Sequence, residues 1–171
     1  MSPMTFLISL LIIAATAAVV YAIIKTNPVK VKPLPLPSGV PYEPVLPAGA
    51  PAAHWSDGGR FQVEVMNESR YQPLLQELAG AHGEQAAAAP YLATLMPDEH
   101  NAYENAAVAV FLAGRMVGYL SPREAVKFRE HLRRREIPGQ LSTADAQVRG
   151  GALWQGKRLS YVVVLDLEPL K

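Results

Sequence analysis

The chain has 171 residues, a formal net charge of +1 and no cysteine. That length favours one folded domain. The charge balance excludes a uniformly basic nucleic-acid coat, and the absence of thiols excludes disulfides, thiolate metal sites and cysteine nucleophiles.

Residues 4–24 form a stretch of 21 without a charged side chain. As a helix at about 1.5 Å per residue it spans roughly 31 Å, the thickness of a hydrocarbon core. Only a helix satisfies its own backbone hydrogen bonds in lipid. A cleaved signal peptide would need basic residues in front and a shorter apolar run. The expectation is therefore a retained single membrane anchor over residues 1–25. Lys25, Lys30 and Lys32 follow it, and no basic residue precedes it, which predicts a cytoplasmic location for the rest of the chain.

Residues 26–56 read as a linker. Eight prolines fall between Pro28 and Pro51. Each fixes its own φ and pushes its predecessor toward extended geometry, so the segment is expected to be a semi-rigid polyproline II spacer.

Residues 57–171 are expected to hold the domain. Phe61-Gln-Val-Glu-Val-Met66 alternates as a half-buried strand does. Pro73-Leu-Leu-Gln-Glu-Leu-Ala79, stopped by Gly80, predicts a helix. Tyr91-Leu-Ala-Thr-Leu-Met96 reads as a strand, and Val108-Ala-Val-Phe-Leu112 with Met116-Val-Gly-Tyr-Leu120 reads as a hairpin. Ser121-Pro-Arg-Glu124 is a capping box opening a second helix, along which Ala125, Phe128 and Leu132 keep helical spacing. Residues 142–148 and 161–167 supply two last strands. Strands and helices do not alternate as in a parallel α/β fold. The expected class is α+β, mainly β: a small, partly open, OB-like barrel of about six strands flanked by two helices.

Charge divides the domain. Residues 57–114 carry two basic and eight acidic side chains, and residues 115–158 carry ten basic and four acidic ones. Arg115, Arg123 and Lys127 belong to that basic stretch, a charge concentration that can attract phosphates. The alternative is an ordinary solvated helix face, and a third reading is contact with anionic lipid. Catalytic patterns are weak. The four histidines are scattered, no Gly-rich phosphate loop or nucleophile elbow occurs, and Asp98-Glu99-His100 near Glu104 reads as a polar turn. Neither an enzymatic role nor a cofactor or metal is expected.

Two segments carry a resemblance. Asn67-Glu-Ser-Arg-Tyr-Gln72 follows the first strand. His100-Asn-Ala-Tyr-Glu-Asn-Ala-Ala-Val-Ala-Val110 is followed by Gly114-Arg-Met-Val-Gly-Tyr-Leu-Ser-Pro-Arg-Glu-Ala125. In order and spacing these resemble the HIRAN domain, a module of helicase-like DNA-repair remodellers and of stand-alone bacterial proteins. The likeness extends over about residues 60–168, with Ala102 in place of the usual Pro, Glu104 in place of Asp and Ala106 in place of Asn. It implies an OB-like barrel gripping the 3′ end of single-stranded DNA. Tyr71 would be the ring that stacks on a base, with Arg70 beside it. Asn101, Tyr103 and Glu104 would line the pocket for the terminus, and Tyr119 would sit close to it. The rival reading is a protein-interaction or scaffold module that keeps the barrel and has lost the DNA site.

Overall fold

In the computed structural model the described residues are 13–16, 18, 21, 42–101 and 103–168. The chain divides into two units, Met1–Pro41 and Tyr42–Lys171. The expected membrane span falls mostly outside the described residues; residues 13–16, 18 and 21 within it are helical and exposed. Among the described residues no helix is long and apolar enough to cross a membrane. Ala102 also lies outside the described residues.

The second unit begins about fifteen residues before the expected boundary. Residues 42–56, assigned to the linker by their prolines, are built into the domain. Pro44 is buried, Leu46 packs on a cluster of Met96, Ala109, Phe111 and Met116, and the Ala52 amide donates to the Leu141 carbonyl at 2.7 Å. Strand β1 (Ala53–Trp55) then lies parallel to β6 (Ser142–Gly150). Proline favours extended geometry but does not choose between a solvated spacer and a strap laid on a sheet. The apolar surface available to Leu46 and Trp55 makes that choice.

The six strands expected from sequence form one curled antiparallel sheet, a half-barrel. Its order is β2 (Val63–Glu64), β9 (Tyr161–Leu165), β6, β3 (Ala87–Pro97), β4 (Val108–Leu112) and β5 (Arg115–Tyr119). The chain beyond β2 curls on to the far edge. Met66 and Tyr119 exchange backbone hydrogen bonds at 2.7 and 3.0 Å, joining the two ends of the sheet. This approach needs Gly118, whose φ is +150°, because a Cβ there would lie 2.2 Å from the Met66 carbonyl oxygen. The pairing of β4 with β5 shifts register at the same place, between Val110 and Phe111, which bends the hairpin inward.

Strand β3 is longer than the apolar run suggests and contains Pro90. It pairs with β6 from Ala87 to Leu95 but with β4 only from Ala93 onward, so Pro90 sits where one edge of the strand has no partner. Strand β4 is buried throughout. Val108, Val110 and Leu112 join the main core, while Ala109 and Phe111 face the second cluster under the strap. A continuous apolar run is what a strand covered on both faces requires.

A 3-10 turn (Glu68–Tyr71) leads into α1 (Gln72–Ala79), with Gly80 as its cap. Helix α2 (Pro122–Arg134) starts as its capping box predicts. Ser121 Oγ accepts from the Glu124 amide at 3.3 Å and donates to the Glu124 carboxylate at 2.6 Å. Ala125, Phe128 and Leu132 enter the core. A small hairpin, β7 (Leu153–Trp154) and β8 (Lys157–Arg158), stands outside the main sheet.

Candidate functional site

A cavity of about 330 Å³ opens where the ends of the half-barrel meet. Its wall comes from four places: Tyr42 in the strap, Met66, Asn67 and Arg70 after β2, Asn101, Tyr103, Glu104 and Ala107 between β3 and β4, and Tyr119, Leu120 and Pro122 at the start of α2. A volume near 300 Å³ suits a small ligand or one terminal residue of a polymer.

Each wall is positioned by local chemistry. Asn67 adopts the left-handed conformation (φ 67°, ψ 19°) and opens the 3-10 turn. Side chains three apart eclipse in such a turn. Asn67 and Arg70 therefore share one side and face the cavity, while Glu68 and Tyr71 turn toward the sheet. The Glu68 carboxylate accepts from the Val163 amide at 2.5 Å. The Tyr71 ring packs between the two core clusters, and its hydroxyl donates to Met116 Sδ at 3.2 Å.

The opposite wall is an Asx-type turn. Asn101 Oδ1 accepts from the amides of Tyr103 (3.0 Å) and Glu104 (3.1 Å), the Glu104 carbonyl accepts from the Ala107 amide, and the Ala107 carbonyl accepts from the Asp98 amide. Arg129 of α2 reaches across to the Ala107 carbonyl at 3.2 Å and pairs with Glu99. Tyr103 is left 66% exposed at the mouth.

Behind this wall is Asp98, 2% exposed. Its carboxylate accepts from the Tyr42 hydroxyl (2.7 Å), the His100 amide (3.2 Å), Asn101 Nδ2 (3.4 Å) and the Tyr119 hydroxyl (3.5 Å). Burial, reinforced by the hydrogen bond to Asp98, pushes the Tyr42 phenol up to about 12. Burial, with the charge of Asp98 behind it, also raises the Tyr119 phenol well above its ordinary value. Both rings stay neutral hydrogen-bond donors across the physiological range.

Of the residues singled out from sequence, Arg70, Asn101, Tyr103, Glu104 and Tyr119 meet at this cavity. Tyr71 does not. It borders a separate groove with Leu74, Phe111, Arg115 and strap residues 43–46, because the 3-10 geometry points it inward. Arg115 is held by Glu77 through two hydrogen bonds of 2.9 and 3.0 Å. Arg123 and Lys127 lie one turn apart on α2 and do not line the cavity, although Pro122 beside Arg123 does.

The basic stretch is largely committed elsewhere. Arg134 pairs with Glu130, Arg135 and Arg149 lie over the rings of Trp55 and Phe61, and Arg158 donates to the Gly83 and Gly151 carbonyls. The cation at the cavity, Arg70, comes from the acidic half of the domain. Net charge by segment misses this because ion pairs and ring contacts consume charges that the sequence displays.

Comparison with known proteins adds no relative. No family model, curated protein or solved structure matches the chain. Among the described residues no group of three or more acidic or histidine side chains is placed to hold a metal ion. Tyr42 escaped the sequence reading, and Asp98 entered it only as part of a polar turn. Tyr42 is hidden among prolines, and Asp98 resembles any acid in a polar turn.

Proposed function

We propose that the chain is a membrane-tethered HIRAN-like module that binds single-stranded nucleic acid at a terminus, on the cytoplasmic side. The observation that carries this reading is the meeting of Arg70, Asn101, Tyr103, Glu104 and Tyr119 around one cavity, as the motif positions imply. Its chemistry suits such an end. Tyr103 offers an exposed ring for stacking, worth about 1–3 kcal/mol per base. Arg70 offers a charged donor to a phosphate. Glu104 and the Asp98–Tyr42–Tyr119 group offer acceptors and neutral donors to a sugar hydroxyl.

The tether rests on the uncharged run of residues 4–24 and the lysines behind it. Fluorescence anisotropy of the full chain in detergent, with oligonucleotides ending in a 3′-hydroxyl or a 3′-phosphate, tests the binding. The expected result is salt-dependent binding that favours the hydroxyl end. Equal and negligible binding of both at low salt would defeat it. A protein-interaction module is the second reading, favoured by the two carboxylates, Asp98 and Glu104, set against the single guanidinium of Arg70. It expects crosslinks from Tyr103 to protein and none to nucleic acid.

A further inference from the structure

The β7–β8 hairpin carries chemistry that the cavity does not use. Gln155 and Gly156 turn it with positive φ (47° and 75°), and Leu153 pairs with Arg158 and Trp154 with Lys157. The Leu159 amide continues the ladder to the Ala152 carbonyl at 2.9 Å. Alternation puts Leu153 and Arg158 on one face and Trp154, Lys157 and Leu159 on the other. Arg158 ties the first face to the domain by donating to the Gly151 (2.6 Å) and Gly83 (3.2 Å) carbonyls, the Leu153 amide ties the edge to the Glu84 carbonyl (2.8 Å), and the Leu153 side chain is 38% exposed. The base is fixed at Gly151, where a Cβ would lie 2.1 Å from the Tyr161 ring. The second face is open: Trp154 is 62% and Leu159 50% exposed.

An isolated two-stranded hairpin is marginal in water. This one is held rigid while presenting an indole, an isobutyl group and an ammonium outward. We infer that this face docks on an anionic lipid surface. The indole would sit at the headgroup level, Leu159 would reach the acyl boundary and Lys157 would meet lipid phosphates. Charge favours that partner, because Lys157 stands beside Trp154 on this face and residues 153–158 include no carboxylate. Leu159 beside the single aromatic ring favours acyl chains over stacked bases. The inference goes beyond the nucleic-acid reading and rests on the proposed membrane tether. The hairpin base and Asp98 lie at the two ends of β3, as Ala87 pairs with Gly150 and Asp98 follows Pro97.

The chain has two tryptophans, and the other, Trp55, is 9% exposed and in the core, so Trp154 is separable by fluorescence. The full chain is reconstituted in phosphatidylcholine vesicles with or without about one-third phosphatidylglycerol, carrying acyl-brominated lipid. Trp154 emission is expected to fall about twofold with the anionic lipid and little without it. Lys157→Glu and high salt should reverse the effect, and Trp154→Phe should leave only an unquenched Trp55 signal, which also reports the fold. Equal emission in both vesicles, with Trp154 as open to aqueous iodide as in detergent, would overturn the inference. So would quenching that tracks protein density, which marks a second copy as the partner, or Trp154 protection by an oligonucleotide alone. Release of the chain at alkaline pH would defeat the tether by itself. Chain added back to the vesicles then judges the hairpin separately.

Discussion

Two carboxylates, Asp98 and Asp166, are buried to 2% and 1% exposure, yet their surroundings differ in kind. Asp166 is met at short range by one neighbouring loop: the Ser56 hydroxyl at 2.6 Å and the Gly59 and Arg60 amides at 2.9 and 3.1 Å. Asp98 is met by two residues of its own turn, the His100 amide and Asn101 Nδ2, and by the Tyr42 and Tyr119 hydroxyls from elsewhere in the fold, with two of the four bonds at 3.4 Å or more, beside an open cavity. Short bonds from a single loop define a folding device, because they hold that loop and leave nothing for a ligand. Longer bonds from converging side chains leave donors that a ligand can recruit.

Replacing each acid should separate the two roles. Asp166→Ala is expected to cost about 3 kcal/mol of stability, as hydrogen bonds to a charged acceptor are worth about 1.5–3 kcal/mol each and do not add fully. Oligonucleotide affinity should be unchanged, and urea unfolding beside anisotropy reads both. Burial works against the Asp166 charge, but the donors from Ser56 and the loop amides outweigh it and hold the carboxyl below its ordinary value. Its stabilisation is therefore complete above the unfolded value, about 3.9, and is lost as pH falls through the lower folded value. The variant should lack that acid-side loss.

Asp98→Asn should cost less, about 1–2 kcal/mol. It should also bring the Tyr42 phenol down from about 12 toward 10.0, visible in the ultraviolet titration of tyrosinate. An unmoved Tyr42 would break the link between the strap and the cavity floor. Asn101→Ala frees the turn that presents Tyr103 and Glu104. It should weaken oligonucleotide binding about tenfold, or about 1.4 kcal/mol, at little cost in stability.

Glu68 supplies the smallest effect and sharpens the contrast, because a single backbone amide meets it. Burial, with Glu64 nearby and the Val163 amide opposing, pushes its carboxyl up to about 7. The folded state then holds the proton more tightly than the unfolded one. Its contribution to stability is present below about 4.5 and fades as pH rises through about 7. Glu68→Gln should flatten that slope in urea midpoints measured across the interval.

Much of the sheet was legible because period-2 alternation and turn residues act locally. The hairpin around Ala113-Gly114, the Gly80 stop and the Ser121 cap stand where their residues predict. The strap was not legible: Pro44 and Leu46 read as linker until the outer face of β4 is known to need a cover. Half of the cavity was legible, since Asn101 acts through amides two and three residues away. Tyr71 was misplaced because a 3-10 turn, unlike an extended segment, sends residues 70 and 71 to different sides.

Sequence alone determined the six main strands, the two helices and the turn that presents Tyr103, because those outcomes depend on backbone conformation within a few residues. Tertiary structure alone decided that Tyr42 meets Asp98 across 56 positions, that Gly118 lets the sheet curl on to Met66, and that Tyr71 leaves the cavity for the groove under the strap. Such meetings depend on which surfaces remain uncovered once the sheet has curled, and no local pattern of residues encodes that.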